Sequence, residues 1–230
     1  MIDLEKNRTQ TKVQENISNE SKVVSFVKDT YKLFAASMMA GAVGAYVGIP
    51  MASAIQGMIL PLFILEIALL IGLQFVKNKP GINMLVMFGF VFMTGLTSAP
   101  LIAQTLQMTG GGAIVGNAFA MTSVVFGSMS LFAIKTERDF TGYGKPLMIA
   151  LVVIIVFSLL NAFVLHNPMF TVLISGVTTL LFSILVIFDT QNIIKGNYET
   201  PIDGAIALYL DFLNIFLSLL QLFGFFGDRD

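Results

Sequence analysis

From Lys32 onward the chain is a succession of apolar runs, most of them near 20 residues long, separated by short polar or Gly/Pro breaks. A helix rises ~1.5 Å per residue and a hydrocarbon core is ~30 Å thick, so about 20 residues suffice to cross a bilayer. Seven membrane-spanning helices are predicted: Leu33 to Ile49, Met58 to Val76, Met84 to Leu106, Ala113 to Ile134, Leu147 to Leu165, Met169 to Ile194 and Ala205 to Phe226. The runs are continuous rather than alternating at every second residue. That excludes barrel strands and leaves helices, the other structure that satisfies its own backbone in lipid. Residues Met1 to Asp29 carry five basic and five acidic side chains with no apolar period, and are expected to form a polar, disordered tail. The domain plan is therefore a tail at 1–29, a transmembrane domain at 30–226 and a short end at 227–230.

Composition sharpens this picture. The chain is 56% hydrophobic and only 12% charged, against about 25% charged residues in soluble domains. A net charge of -1 supplies no basic field for nucleic acid. The absence of cysteine excludes a disulfide framework, a thiolate metal site and a cysteine nucleophile. Of the 13 Lys and Arg, all but Arg229 fall on the side of the N-terminus, which by the positive-inside rule places the N-terminus in the cytoplasm and the C-terminus outside.

Ionisable side chains at membrane depth cost at least ~2.5 to 3.5 kcal/mol each on insertion scales, and each is a functional candidate. Glu66 in the second run, Asp189 in the sixth and Asp211 in the seventh qualify. On the seventh run Asp211, Asn214, Ser218 and Gln221 fall on one helical stripe, and Thr171, Ser175, Thr178, Asp189 and Asn192 cluster on the sixth. Facing stripes could line a polar path, although any one Ser, Thr or Asn serves equally as glue between helices. Two carboxyls close together in low dielectric cannot both ionise cheaply and would titrate as a unit. Lys77, three turns beyond Glu66 on the same helical face, could reach the cytoplasmic mouth near such a pair; it could also be an interfacial anchor.

Other features carry less chemistry. The Gly110-Gly111-Gly112 run lacks the Lys-Ser/Thr of a phosphate loop, and His166, the single histidine, cannot make a metal site alone. Gly41, Gly44 and Gly48 on the first run, and Gly112, Gly116 and Ala120 on the fourth, are predicted close-packing faces.

The string Ala207-Leu208-Tyr209-Leu210-Asp211-Phe212-Leu213-Asn214, with Leu222-Phe223-Gly224 beyond it, resembles the signature of the Bax inhibitor-1 family of seven-helix membrane proteins. Phe188-Asp189-Thr190-Gln191-Asn192 resembles its sixth-helix motif, and Leu62-Phe63-Ile64-Leu65-Glu66 its second-helix motif. The resemblance implies an all-α bundle in which the seventh helix is surrounded by the others. It also implies a calcium leak controlled by pH, with Asp189 and Asp211 sharing a proton as the sensor and Lys77 as a latch in the place of an arginine. A lysine keeps the charge but loses the planar fork that grips a carboxylate at two points.

The expected mechanism joins both readings. Lys77 bridges to the ionised pair and closes the cytoplasmic end, and protonation releases it. Glu66, Asn214 and Ser218 then form the ion pathway, with calcium held only transiently near Glu66, Asp189 and Asp211. No cofactor, no tightly bound metal and no enzymatic activity are expected. One rival is a regulatory protein that binds a membrane-bound quality-control protease, with the charged tail as its handle. The other is an intramembrane aspartyl protease, for which the usual Gly-x-Gly-Asp is missing: Leu208-Tyr209-Leu210-Asp211 stands there. Short loops, size and the resemblance point to a bacterial inner membrane.

Overall fold

Apolar runs broken by residues that cannot continue a helix become helices with defined ends. The protein, described by a computed structural model over residues 2–227 for the backbone and 20–227 for the side chains, is all-helical, with no strand among the described residues. Seven helices are long and apolar enough to cross a membrane: α1 (Ile2–Gly48), α2 (Ile59–Val76), α3 (Ile82–Leu106), α4 (Gly111–Lys135), α5 (Gly144–Leu160), α6 (Pro168–Ile194) and α7 (Pro201–Gly227). A 3-10 turn at Ile49–Met51 and a short helix at Ala52–Gly57 extend the first span, and a π turn at Asn161–Leu165 extends the fifth.

The ends follow from local chemistry. Gly110 precedes α4 in the left-handed region (φ 69°), where a Cβ would be strained. α6 starts on Asn167, whose side chain accepts from the backbone N–H groups of Met169 and Phe170, with Pro168 in the first turn where its missing N–H costs nothing. α7 starts one turn earlier than the apolar pattern suggests. Thr200 and Asp203 form a reciprocal cap: the Thr200 N–H and hydroxyl donate to Asp203 Oδ2 at 3.0 and 2.9 Å, and the Asp203 N–H donates back to Thr200 Oγ1 at 3.3 Å. Pro201 fills the first turn.

The N-terminal stretch departs from expectation. Residues 2–29 are not an irregular tail but the beginning of α1, which runs without a break into the first span. This stretch contains no Gly or Pro, and its Glu, Lys and Gln are strong helix formers, so low hydrophobicity does not by itself prevent a helix that the span has already nucleated. Residues 228–230, most of the expected C-terminal end, lie outside the described residues.

α7 carries the packing on two sides. Leu208, Phe212, Ile215 and Leu219 join Ala118 and Phe126 of α4 and Phe182 and Val186 of α6. Ile202, Ile206 and Tyr209 join Leu73 of α2 and Met87, Phe90 and Val91 of α3. α7 thus touches α1, α3, α4 and α6. α1 and α3 cross backbone to backbone, since a Cβ on Gly44 would lie 2.2 Å from the Phe92 carbonyl oxygen. The small residues of α4 behave otherwise: Gly112 and Gly116 have open space where a Cβ would go, so the expected close-packing face is absent there. Large apolar side chains exposed on α2 and α5, among them Leu60, Ile64, Phe75, Ile149, Val152 and Val156, cover the surface that meets lipid tails.

Candidate functional site: a buried carboxyl pair and its polar cover

α6 and α7 are consecutive and antiparallel, joined by a connector of a few residues, so side chains shortly before and after that connector come to similar depth. Asp189 and Asp211 are both buried, at 6% and 2% exposure, and are near enough for the charge of one to act on the other. The Tyr198 hydroxyl donates to Asp189 Oδ1 at 2.7 Å, while Asp211 Oδ2 is buried without a protein partner. Farther along the same helices Ser175 donates to Gln221 Oε1 at 2.6 Å, so the polar stripes of α6 and α7 do meet at two levels.

Lys77 is engaged elsewhere than expected. Its ammonium lies 2.7 Å from Glu199 Oε2 and 3.9 Å from Asp203 Oδ2, and also donates to Gln74 Oε1 at 3.3 Å. Asn78 Nδ2 donates to the other Glu199 oxygen at 2.8 Å. Lys77 follows directly on the end of α2, at the rim, and Glu199 of the α6–α7 connector and Asp203 in the first turn of α7 intercept it before it reaches the pair. The hydrogen bond from Lys77 holds the Glu199 carboxyl below the usual range, and the same contact raises the lysine. These groups surround a cavity of about 360 Å³ lined also by Tyr198, Leu73 and Leu210.

Glu66 belongs to a separate polar group between α2, α3 and α7. It is buried at 8% exposure and accepts a hydrogen bond from the Thr97 hydroxyl. Nearby, Tyr209 Oη of α7 lies 2.7 Å from Thr94 Oγ1. Asn214 donates to the Leu210 carbonyl of its own helix at 2.7 Å, and Ser218 is buried within α7's packed length. The structure thus brings Asp189 to Asp211, and Lys77 to Glu199 and Asp203, while Glu66 stands apart from both. No group of three or more His, Cys, Asp or Glu side chains that could hold a metal occurs among the described residues.

Several residues of the site escape the sequence reading. Tyr198 and Thr97 are ordinary in a loop and a span, and only their partners give them meaning. Gln191, two residues beyond Asp189, ties the α4–α5 loop to α6: its Nε2 donates to the Ala133 and Arg138 carbonyls at 3.3 and 2.8 Å, and its Oε1 accepts from the Phe140 N–H at 2.7 Å. A signal for the cap at Thr200 was present, since Thr-x-x-Asp with Pro second precedes an apolar run.

Seven apolar helices around a buried carboxyl pair define a multi-spanning helical membrane protein with an ionisable centre. Residues 23–228 match the family described as inhibitor of apoptosis-promoting Bax1, and the chain belongs to this family, Bax inhibitor-1. It is 47% identical over 217 residues to an uncharacterized protein of Helicobacter pylori, covering 94% of each chain. A protein of Campylobacter jejuni is 48% identical over 216 residues, covering 92% of this chain and 93% of that one. An uncharacterized membrane protein of Vibrio cholerae is 28% identical over 226 residues, covering 96% and 97%.

Proposed function

We propose that the protein is a pH-sensitive calcium leak channel of a bacterial inner membrane, with the N-terminus cytoplasmic, the C-terminus outside and the Asp189–Asp211 pair as its sensor. The observation that carries this reading is the burial of two neighbouring, electrostatically interacting carboxyls beside a polar vestibule. Such a pair changes charge as a unit when protons are taken up, and an intramembrane carboxyl that merely filled space would have no physical reason to be there. With the pair ionised the cytoplasmic end is closed; a second proton neutralises the pair and releases the contacts that its charge holds. Asn214, Ser218 and Glu66 mark the remainder of the path, and calcium would bind only transiently, because two carboxyls supply few of the six to eight oxygens a tight site needs. Catalysis by the pair is a weaker reading, since Asp211 follows Leu208, Tyr209 and Leu210, two of them deeply buried, and not a glycine turn that opens a helix to substrate.

Calcium flux into liposomes carrying the purified protein, stepped from pH 8 to pH 6, tests this. Flux is expected to rise as the pH falls, and Asp189→Asn and Asp211→Asn are each expected to flatten the profile. No flux above that of empty liposomes at any pH, or an unchanged profile in both variants, would refute it. Thermal protection by a transition-state-mimicking aspartyl protease inhibitor would then favour catalysis.

A further inference from the structure

The connector between α6 and α7 is fixed at both ends and held in between by side chains, with Asn197 Nδ2 donating to Asn192 Oδ1 at 2.9 Å. Gly196, at φ 67°, ends α6, and the Asn197 N–H closes the helix end on the Asn192 carbonyl at 2.8 Å. The Thr200–Asp203 cap fixes the start of α7. Asn197 and Glu199 are exposed, whereas Tyr198 between them turns inward, half-buried, to reach Asp189. The same tyrosine lines the vestibule of about 360 Å³. Its ring therefore stands between the vestibule and the carboxyl pair. Glu199 turns the opposite way, to Lys77 and Asn78.

We propose that residues 196–199 form a lid over the aspartate pair, with Tyr198 as the plug and the Lys77–Glu199 ion pair as an outer catch. This lid rests on the channel reading above and names its gate.

The two ties respond to different things. Burial first, and then the charge of Asp189, push the Tyr198 phenol far above its ordinary range, so its hydroxyl keeps its proton and donates it to Asp189. A bond from such a donor to an ionised carboxylate is about twice as strong as one to a neutral acceptor, so protonation of Asp189 weakens the inner tie. The outer catch keeps its charges, because Lys77 and Glu199 each move away from neutrality in the other's presence. The charged or titratable groups facing the tyrosine are Asp189 from α6, Asp211 and Asp203 from α7, and Lys77 from the end of α2. α1 brings the Asp29–Lys32 pair to the adjoining cavity, α3 contains no charged residue, and α4 has only Lys135 at its exposed last position. A response between pH 8 and pH 6 therefore enters through the buried pair and is passed to the lid by Tyr198.

Tyr198→Phe removes the one hydroxyl and keeps the ring. It is expected to raise calcium flux at pH 8 about tenfold, the population shift that loss of one charge-assisted hydrogen bond corresponds to, and so to flatten the pH profile, with the protein still folded and its melting temperature modestly lowered. The natural chain has no cysteine, so Lys77→Cys with Glu199→Cys can be bridged selectively by a short bis-methanethiosulfonate reagent. Bridging is expected to abolish flux at pH 6, and reduction of the same sample to restore it. Undiminished flux at pH 6 in the bridged protein, with a wild-type profile for Tyr198→Phe, would overturn the lid and leave the channel reading standing. Absence of flux in the wild type would overturn both.

Discussion

Gly95 illustrates how much a single missing Cβ decides in this protein. A Cβ there would meet the Gly41 carbonyl oxygen at 2.1 Å, and backbone cannot yield as a flexible side chain does. Gly95→Ala is therefore expected to push α1 and α3 apart and to cost ~1 to 3 kcal/mol, as overpacking does. Gly116→Ala, where nothing lies within 4 Å, is expected to cost nothing and to raise stability by up to ~1 kcal/mol, the difference in helix propensity. Thermal melting of both variants in one detergent checks the contrast. At this scale the site was partly legible. Asp189 and Asp211 announce themselves, because a carboxyl in an apolar run is conspicuous. The partners of Lys77 do not, since a long flexible side chain at a helix end can reach several acids and only the fold decides which lies nearest. Tyr198 was invisible for the complementary reason: nothing in Asn197-Tyr198-Glu199 says which of the three turns inward.

Among the elements, α6 does more than carry Asp189. Its last turns hold the α4–α5 loop of residues 136–143 through Gln191 and through the Lys195–Asp139 ion pair at 2.7 Å. Gln191→Leu would strand the Phe140 N–H and two carbonyls. Since an unsatisfied buried polar group costs ~1 to 3 kcal/mol, the expected result is lower stability and faster amide hydrogen exchange in 136–143. The Asp139 carboxyl is held well below the usual carboxylate range by Lys195 and then by Thr141. A carboxyl with a lowered folded value adds stability at pH above its unfolded value, ~3.9, and loses it only as the pH falls further. Exchange in this loop, corrected for the intrinsic chemical rate, should consequently be the same at pH 8 and pH 6. A loop that loosened across that interval would place a second titrating group beside it.

At the level of the whole molecule, the seven spans were legible because lipid demands length and continuity, which any sequence must display openly. Their first turns were less so: Pro201 and the Thr200–Asp203 cap add a turn to α7 that hydropathy cannot show, and the helicity of residues 2–29 depends on propensity and on attachment to a formed helix. The same absence of cysteine that permits cross-linking also permits a test of orientation. Single cysteines at Gly110 or Asn167 are expected to react with an impermeant maleimide in intact cells, and cysteines at Asn78 or Gly142 only after permeabilisation. The reverse pattern would invert the assignment of cytoplasmic and outer faces.

The placement of the outer catch has one more effect. Asp189 and Asp211 are sealed from solvent, but the Glu199 side chain is 58% exposed while paired to Lys77. Counter-ions screen exposed charges much more than buried ones, with a Debye length that shrinks from ~10 Å at 0.1 M to ~3 Å at 1 M. Rising ionic strength should therefore weaken the catch and raise the resting leak without moving the pH at which flux is half-maximal. On the channel reading proposed above, a cell that accumulates potassium under osmotic stress would then find its calcium permeability increased at constant acidity, with acidity and ionic strength read through two independent contacts.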